Sequence, residues 1–272
     1  MRTPATDPDA DRELGDLTEI SVEEQHRRWV ASQAARPKLR GWLHAAAFPL
    51  AVAGGTALTL RVRDRRARLG LVVFGAGYSA MLAASASYHR LPRSARQAHW
   101  LRRVDHSMIY VAEAATVTPL ALMLLPSPLG ELVVGGAWTA AGAGAAIKMT
   151  HLDEERSGGS WLYLAIGWSA AAMAPLVFTR GGKEALAFMA AGGVLYSGGF
   201  VVLAKRWPDP APSVFGYHEV WHGLVLAAGL CHAEMLRRVL AGKPAQRSAS
   251  ASTRPSPMAR RRAAWSASLV RA

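Results

Sequence analysis

Seven runs of mostly apolar residues, each about 20 residues long, follow one another along this chain with short, mostly charged loops between them. Roughly 20 such residues are what a helix needs to cross the hydrocarbon of a bilayer. Lipid offers no partner to a backbone N–H or C=O, so segments of this kind must satisfy those groups internally, as helices do. The runs cover about residues 41–60, 69–89, 104–125, 131–149, 160–179, 184–204 and 217–240. The third is the least clean, because Asp105, His106 and Glu113 lie in it. The fourth and fifth are rich in Ala and Gly, small residues that let helices approach closely in lipid. The predicted fold class is an all-α integral membrane protein, a seven-helix transmembrane bundle.

Polar flanks bracket the bundle. Residues 1–40 read as a cytoplasmic N-terminal segment, in which SVEEQHRRWVASQAA has the pattern of a short interfacial helix stopped by Pro37. Residues 41–240 form the membrane domain. Residues 241–272 alternate Ser, Ala, Arg and Pro without helical period and read as a disordered basic tail. These flanks hold the mean hydropathy to +0.10 although 51% of residues are hydrophobic. No apolar run follows the charges of the first forty residues, so the first membrane helix is expected to act as the insertion signal. The lone Cys231 excludes an intrachain disulfide.

A net charge of +13 would fit nucleic-acid binding, but the basic residues sit in loops and tails beside apolar runs. That placement serves anionic lipid headgroups and topology, so nucleic acid is excluded as a partner and membrane lipids are expected. Arg27, Arg28, Arg36, Lys38 and Arg40, with Arg90, Arg93, Arg96, Arg102 and Arg103, lean the N-terminus toward the cytoplasm of a cell-membrane protein. The loop RVRDRRAR after the first run opposes that lean. Trp42, Trp161, Trp207 and Trp221 lie near run ends and read as an interfacial aromatic belt.

Chemistry enters through three polar clusters. The second run ends SASYHRLP with Ser85 and His89; the third opens VDHSMIY with Asp105 and His106; the seventh opens GYHEVWH with His218 and His222. With seven crossings, parity places all three on one side of the membrane. His218 and His222, four residues apart, share one helix face. Three neutral imidazoles with an open fourth position make a catalytic zinc site rather than a structural one. His89, His218 and His222 are the predicted metal ligands. A water at the open position would be acidified by zinc. Asp105 is the predicted general base, and Ser85, one turn before His89, the predicted orienting hydroxyl. Imidazole sites also accept copper, iron or nickel.

Ser85-x-x-x-His89, Asp105 and His218-x-x-x-His222, with the runs SASYHRL, VDHSMIY, TVTPLAL and GYHEVWHGLVLAAGLCH, resemble the haemolysin III family. This is the bacterial branch of the progestin and adipoQ receptors. The resemblance covers roughly residues 41–240. It implies a seven-helix fold with a cytoplasmic N-terminus and a zinc ion near the cytoplasmic helix ends, held by His89, His218 and His222, with Asp105 on the water. It also implies distant kinship to alkaline ceramidases and a role in membrane-lipid homeostasis. Ala115 and Val117 stand where the family commonly has Gly and Tyr, and Glu113 occupies a place that is usually apolar.

The predicted function is zinc-dependent hydrolysis of an amide or ester bond in a lipid-like substrate. Three alternatives stand beside it. His218-Glu219-x-x-His222 matches the zincin pattern with Glu219 as base, which would make an intramembrane metalloprotease. A membrane-perturbing protein and a receptor on the same scaffold are the others. Glu219 otherwise reads as a carboxylate paired with an arginine. His44 reads as interfacial, His106 as a packing residue, and His232 as too deep to share the metal. Glu113 reads as bonded to a neighbouring helix or, second, as lining the cavity.

Overall fold

The computed structural model describes residues 21–150 and 159–242. The predicted disordered tail, past Gly242, and the first 20 residues lie outside that range. Regular structure among the described residues is helical: α1 Val22–Ala34, α2 Trp42–Leu60, α3 Arg65–Arg90, α4 Ala95–Leu124, α5 Leu129–Thr150, α6 Gly159–Ser169, α7 Ala174–Lys205 and α8 Tyr217–Ala241. A 3-10 turn, Ala170–Met173, joins α6 to α7.

Among the described residues, five stretches are long and apolar enough to cross a membrane: Trp42–Leu60, Arg65–Arg90, Ala95–Leu124, Leu129–Thr150 and Ala165–Lys205. The last, at 41 residues, spans two of the predicted runs. As one rod it would measure about 60 Å, twice the hydrocarbon thickness. It is instead folded in two. Gly182 adopts φ 75° and ψ −175°, a conformation costly for any residue with a Cβ. Beyond it the chain returns, so that Trp168 Nε1 donates to Ser197 Oγ at 3.1 Å. The break falls between the two predicted runs. α8 is 25 residues long, but its His, Glu and Arg residues keep it out of the apolar set.

Small residues set the helix spacing. A Cβ on Gly77 would lie 2.5 Å from that of Ala115, so α3 and α4 touch nearly backbone to backbone. The Tyr110 ring occupies the space beside Gly144 and seats α5 on α4. Tyr78 on α3 donates to the Val225 carbonyl of α8 at 3.1 Å. Leu71, Phe74, Leu120, Val177, Met235 and Val239 interlock as an apolar plug drawn from α3, α4, α7 and α8. Outward-facing apolar side chains stay exposed, among them Leu50, Leu132, Val194 and Leu230, which is the inverse of a water-soluble surface.

α1 forms where the sequence places a short interfacial helix. Ser21 Oγ accepts from the Glu24 N–H at 3.2 Å and caps its start. Trp29 packs against Ala95 and Ala98 at the head of α4. The chain between α1 and α2 then pairs with the α7–α8 loop, Lys38 N–H to Ser213 O at 3.1 Å and Leu39 N–H to Val214 O at 3.0 Å. That short two-bond tie brings Arg40 to the head of α8.

Candidate metal centre

α3 ends, α4 begins and α8 begins at the same end of the molecule, opposite the apolar plug. The three polar clusters therefore converge. His89 Nε2 and His218 Nε2 lie 3.1 Å apart. The ring centroids of His218 and His222 are 4.6 Å apart, and those of His89 and His222 5.2 Å. One ring nitrogen from each of the three histidines falls within 4.8 Å of the others, and all three residues are buried. Two nitrogens bound at about 2.0–2.1 Å to a tetrahedral ion stand about 3.3 Å apart, close to the His89–His218 separation.

The hydrogen-bond inventory fits a metal as well. Neither ring nitrogen of His222 has a hydrogen-bond partner, although the residue is only 1% exposed. A buried imidazole in that state costs free energy unless something else engages its lone pair. The donor set is all nitrogen, which suits zinc and other borderline divalent ions.

Asp105 faces the cluster from α4, with Oδ2 4.0 Å from His89 Nε2. Ser85, one turn before His89, lies beside the Asp105 carboxylate on the cavity wall. All five predicted site residues are thus in one buried group. Arg103, two residues before Asp105 on α4, donates to the Met149 carbonyl of α5 at 2.8 Å.

Glu219 is engaged elsewhere. Arg40 Nε donates to Glu219 Oε1 at 2.6 Å, and the Gly216 N–H donates to Oε2 at 2.8 Å. Both oxygens are spent on closing the start of α8, and the residue is fully buried. The arginine-paired reading of Glu219 is the one realised, and a zincin-type base at this position loses its footing.

Three other expectations change. His44, read as interfacial, is 2% exposed, and its ring stacks on His222 at 3.9 Å with 17° between planes. The order of the runs is consistent with this place, since the start of the first run and the end of the second share a membrane side. Trp221, read as part of the aromatic belt, stands perpendicular to His218 with centroids 5.0 Å apart and lines the cavity. Glu113, read first as bonded to a neighbouring helix, lines that cavity too, and its Oε2 is buried without a partner. Trp42 and Trp207 are exposed, as belt residues should be.

The cavity itself has a volume of about 550 Å³. It passes Ser85, Asp105 and His218 and runs between the helices to Met189 and Met235 of the apolar plug. Val117 is one of its walls, whereas Ala115 is fully buried against Gly77.

A family profile described as "Haemolysin-III related" matches residues 32–233. Hemolysin-3 of Bacillus cereus is 33% identical over 125 residues, which are 45% of this chain and 53% of that relative. The Hemolysin-3 homolog of Bacillus subtilis (strain 168) is 33% identical over 129 residues, 46% of this chain and 56% of the relative. The matched stretch thus spans about half the length of these relatives. With helices, histidine cluster and profile covering the same part of the chain, this protein belongs to the haemolysin-III related family.

Proposed function

We propose that the protein is a zinc-dependent hydrolase of an amide or ester bond in a membrane lipid, working from one leaflet of a seven-span bundle. The seven spans are α2 to α5, the two arms folded at Gly182, and α8. They sit in the cell membrane with the N-terminus cytoplasmic, and the activity serves lipid homeostasis. The observation that carries the reading is the convergence of three buried imidazoles from α3 and α8, one of them with no hydrogen-bond partner and one of them, His218, lining a largely apolar cavity.

In this reading His89, His218 and His222 hold the ion. Zinc there supplies a Lewis acid that polarises a carbonyl and makes water a better nucleophile at neutral pH. Asp105 takes the proton that the attacking water releases and passes it to the leaving group. Ser85 keeps the Asp105 carboxylate turned toward the histidines. The apolar walls align the lipid chain and keep bulk water from the reacting bond. Against a protease reading stands the double engagement of Glu219 by Arg40 and Gly216.

The test is elemental analysis and lipid hydrolysis on the purified protein and on the double variant His218→Ala/His222→Ala. Wild type is expected to carry about one zinc per chain and to release fatty acid from an N-acyl or O-acyl lipid. The variant is expected to lose both. Amidase and esterase activity that persists in the variant overturns the proposal.

A further inference from the structure

Below the histidines the cavity should be uniformly greasy if its task were only to hold an alkyl chain. Among the polar side chains that break that pattern are two buried acid–base groups with an atom lacking a partner. Glu113 on α4 and His232 on α8 both line the cavity, and the hydrolytic reading uses neither. Glu113 lies eight residues past Asp105 and His232 ten past His222, so helical rise puts them about 12 Å and 15 Å deeper than the metal centre. Two helices thus deliver polar groups to nearly the same depth.

Each group is short of a partner. Glu113 Oε2 is buried with no hydrogen bond. His232 interacts with the Met189 backbone, while its Nδ1 is buried and unpartnered. Tyr196 stands beside both: its ring centroid is 5.6 Å from that of His232, and its phenol lies within electrostatic reach of Glu113. Gly192 makes room for the imidazole: a Cβ there would overlap the His232 ring. Unsatisfied polar groups at membrane depth are expensive and persist where a ligand or a pathway needs them.

We propose that Glu113 and His232 form a second polar subsite, part-way down the cavity, that receives a hydroxyl carried in the middle of the ligand's hydrocarbon chain. A hydroxyl has one proton to donate and two lone pairs, and the subsite offers a carboxyl and a bare imidazole nitrogen. This deepens the hydrolase reading, on which it rests for the placing of the lipid's polar end at the histidines. It narrows the substrate class to lipids with a mid-chain hydroxyl. A chain without it leaves Glu113 and His232 unpaired, which is the arrangement that discriminates most strongly between ligands.

Oleic acid and ricinoleic acid differ by one mid-chain hydroxyl and serve as probes. Their affinities are measured on the full-length protein in detergent by competitive displacement, with zinc content determined on the same samples. Ricinoleate is expected to bind wild type about ten-fold more tightly than oleate, the scale of one well-made buried hydrogen bond. In Glu113→Leu/His232→Leu the preference is expected to vanish, with oleate affinity and zinc content retained. Equal affinities in wild type mean that water satisfies the two groups, and they overturn the proposal whatever the variants do. So does a preference that survives in the double variant, or failure of either chain to bind. Zinc content reports separately on the three histidines, so the metal centre can stand while the subsite falls, or the reverse.

Discussion

Among single residues, the division of labour between the acids is the sharpest consequence of the geometry. Asp105 faces the histidines with its carboxylate beside Ser85, whereas Glu219 is locked between Arg40 and the Gly216 amide. Asp105→Asn is therefore expected to lower lipid hydrolysis by at least 100-fold with zinc retained, the scale of a lost general base. Glu219→Gln is expected to leave turnover within a few-fold while lowering thermal stability, because a buried charge-assisted pair is weakened. Parallel rates and melting curves for the two variants check this; the opposite pattern would restore the protease reading. His44 acts one step further out, since its ring lies flat on His222. His44→Ala is expected to weaken zinc binding about ten-fold, as removal of outer-shell support does, and His44→Phe to recover most of it by restoring the stacked ring. Competition with a zinc-sensitive dye reads both.

The elements place these residues through close helix contacts. Gly41 caps the start of α2 with φ 78°, and a Cβ there would lie 2.6 Å from that of His89. Alanine at 41 thus meets two penalties: left-handed backbone strain of about 1–2 kcal/mol and a collision with a proposed ligand. Gly41→Ala is expected to lower zinc affinity by more than the His44 truncation does, with helix content by circular dichroism unchanged. If zinc binding stays at the wild-type level, α2 does not hold His89 in place. The hairpin at Gly182 shows why the two predicted runs could be told apart in the sequence: Thr179-Arg180-Gly181-Gly182-Lys183 interrupts an otherwise unbroken apolar stretch with charge and a residue free to take positive φ.

At the scale of the molecule, the proposed span count has a simple consequence. An odd number of crossings puts the two ends of the described chain on opposite faces. With Cys231 replaced by Ala, Ser21→Cys and Ala241→Cys supply single thiols at exposed positions near those ends. In intact cells an impermeant maleimide is expected to label position 241 and spare position 21. Labelling of both, or of neither until the cells are opened, would mean an even number of crossings. Loop charge could not decide this, since RVRDRRAR and the region Arg90–Arg103 pull in opposite directions. The number of crossings bears on it directly, because each crossing changes side.

Run length and residue spacing made the helical class, the positions of the helices and the grouping of Ser85, His89, Asp105, His218 and His222 legible before any coordinates. Each depends on local chemistry or on the number of crossings. Contacts that tie residues far apart in the chain were another matter. Arg40 reaches Glu219 because a loop pairing joins two connections, and His44 stacks on His222 because α2 leans on α8. Glu113 and His232 share one cavity only because α4, α7 and α8 are packed in one particular order. Helical period tells which face of a segment a side chain lies on. Which neighbour that face meets is settled by packing in three dimensions, so the partners of the histidines, rather than the histidines themselves, belonged to the tertiary structure.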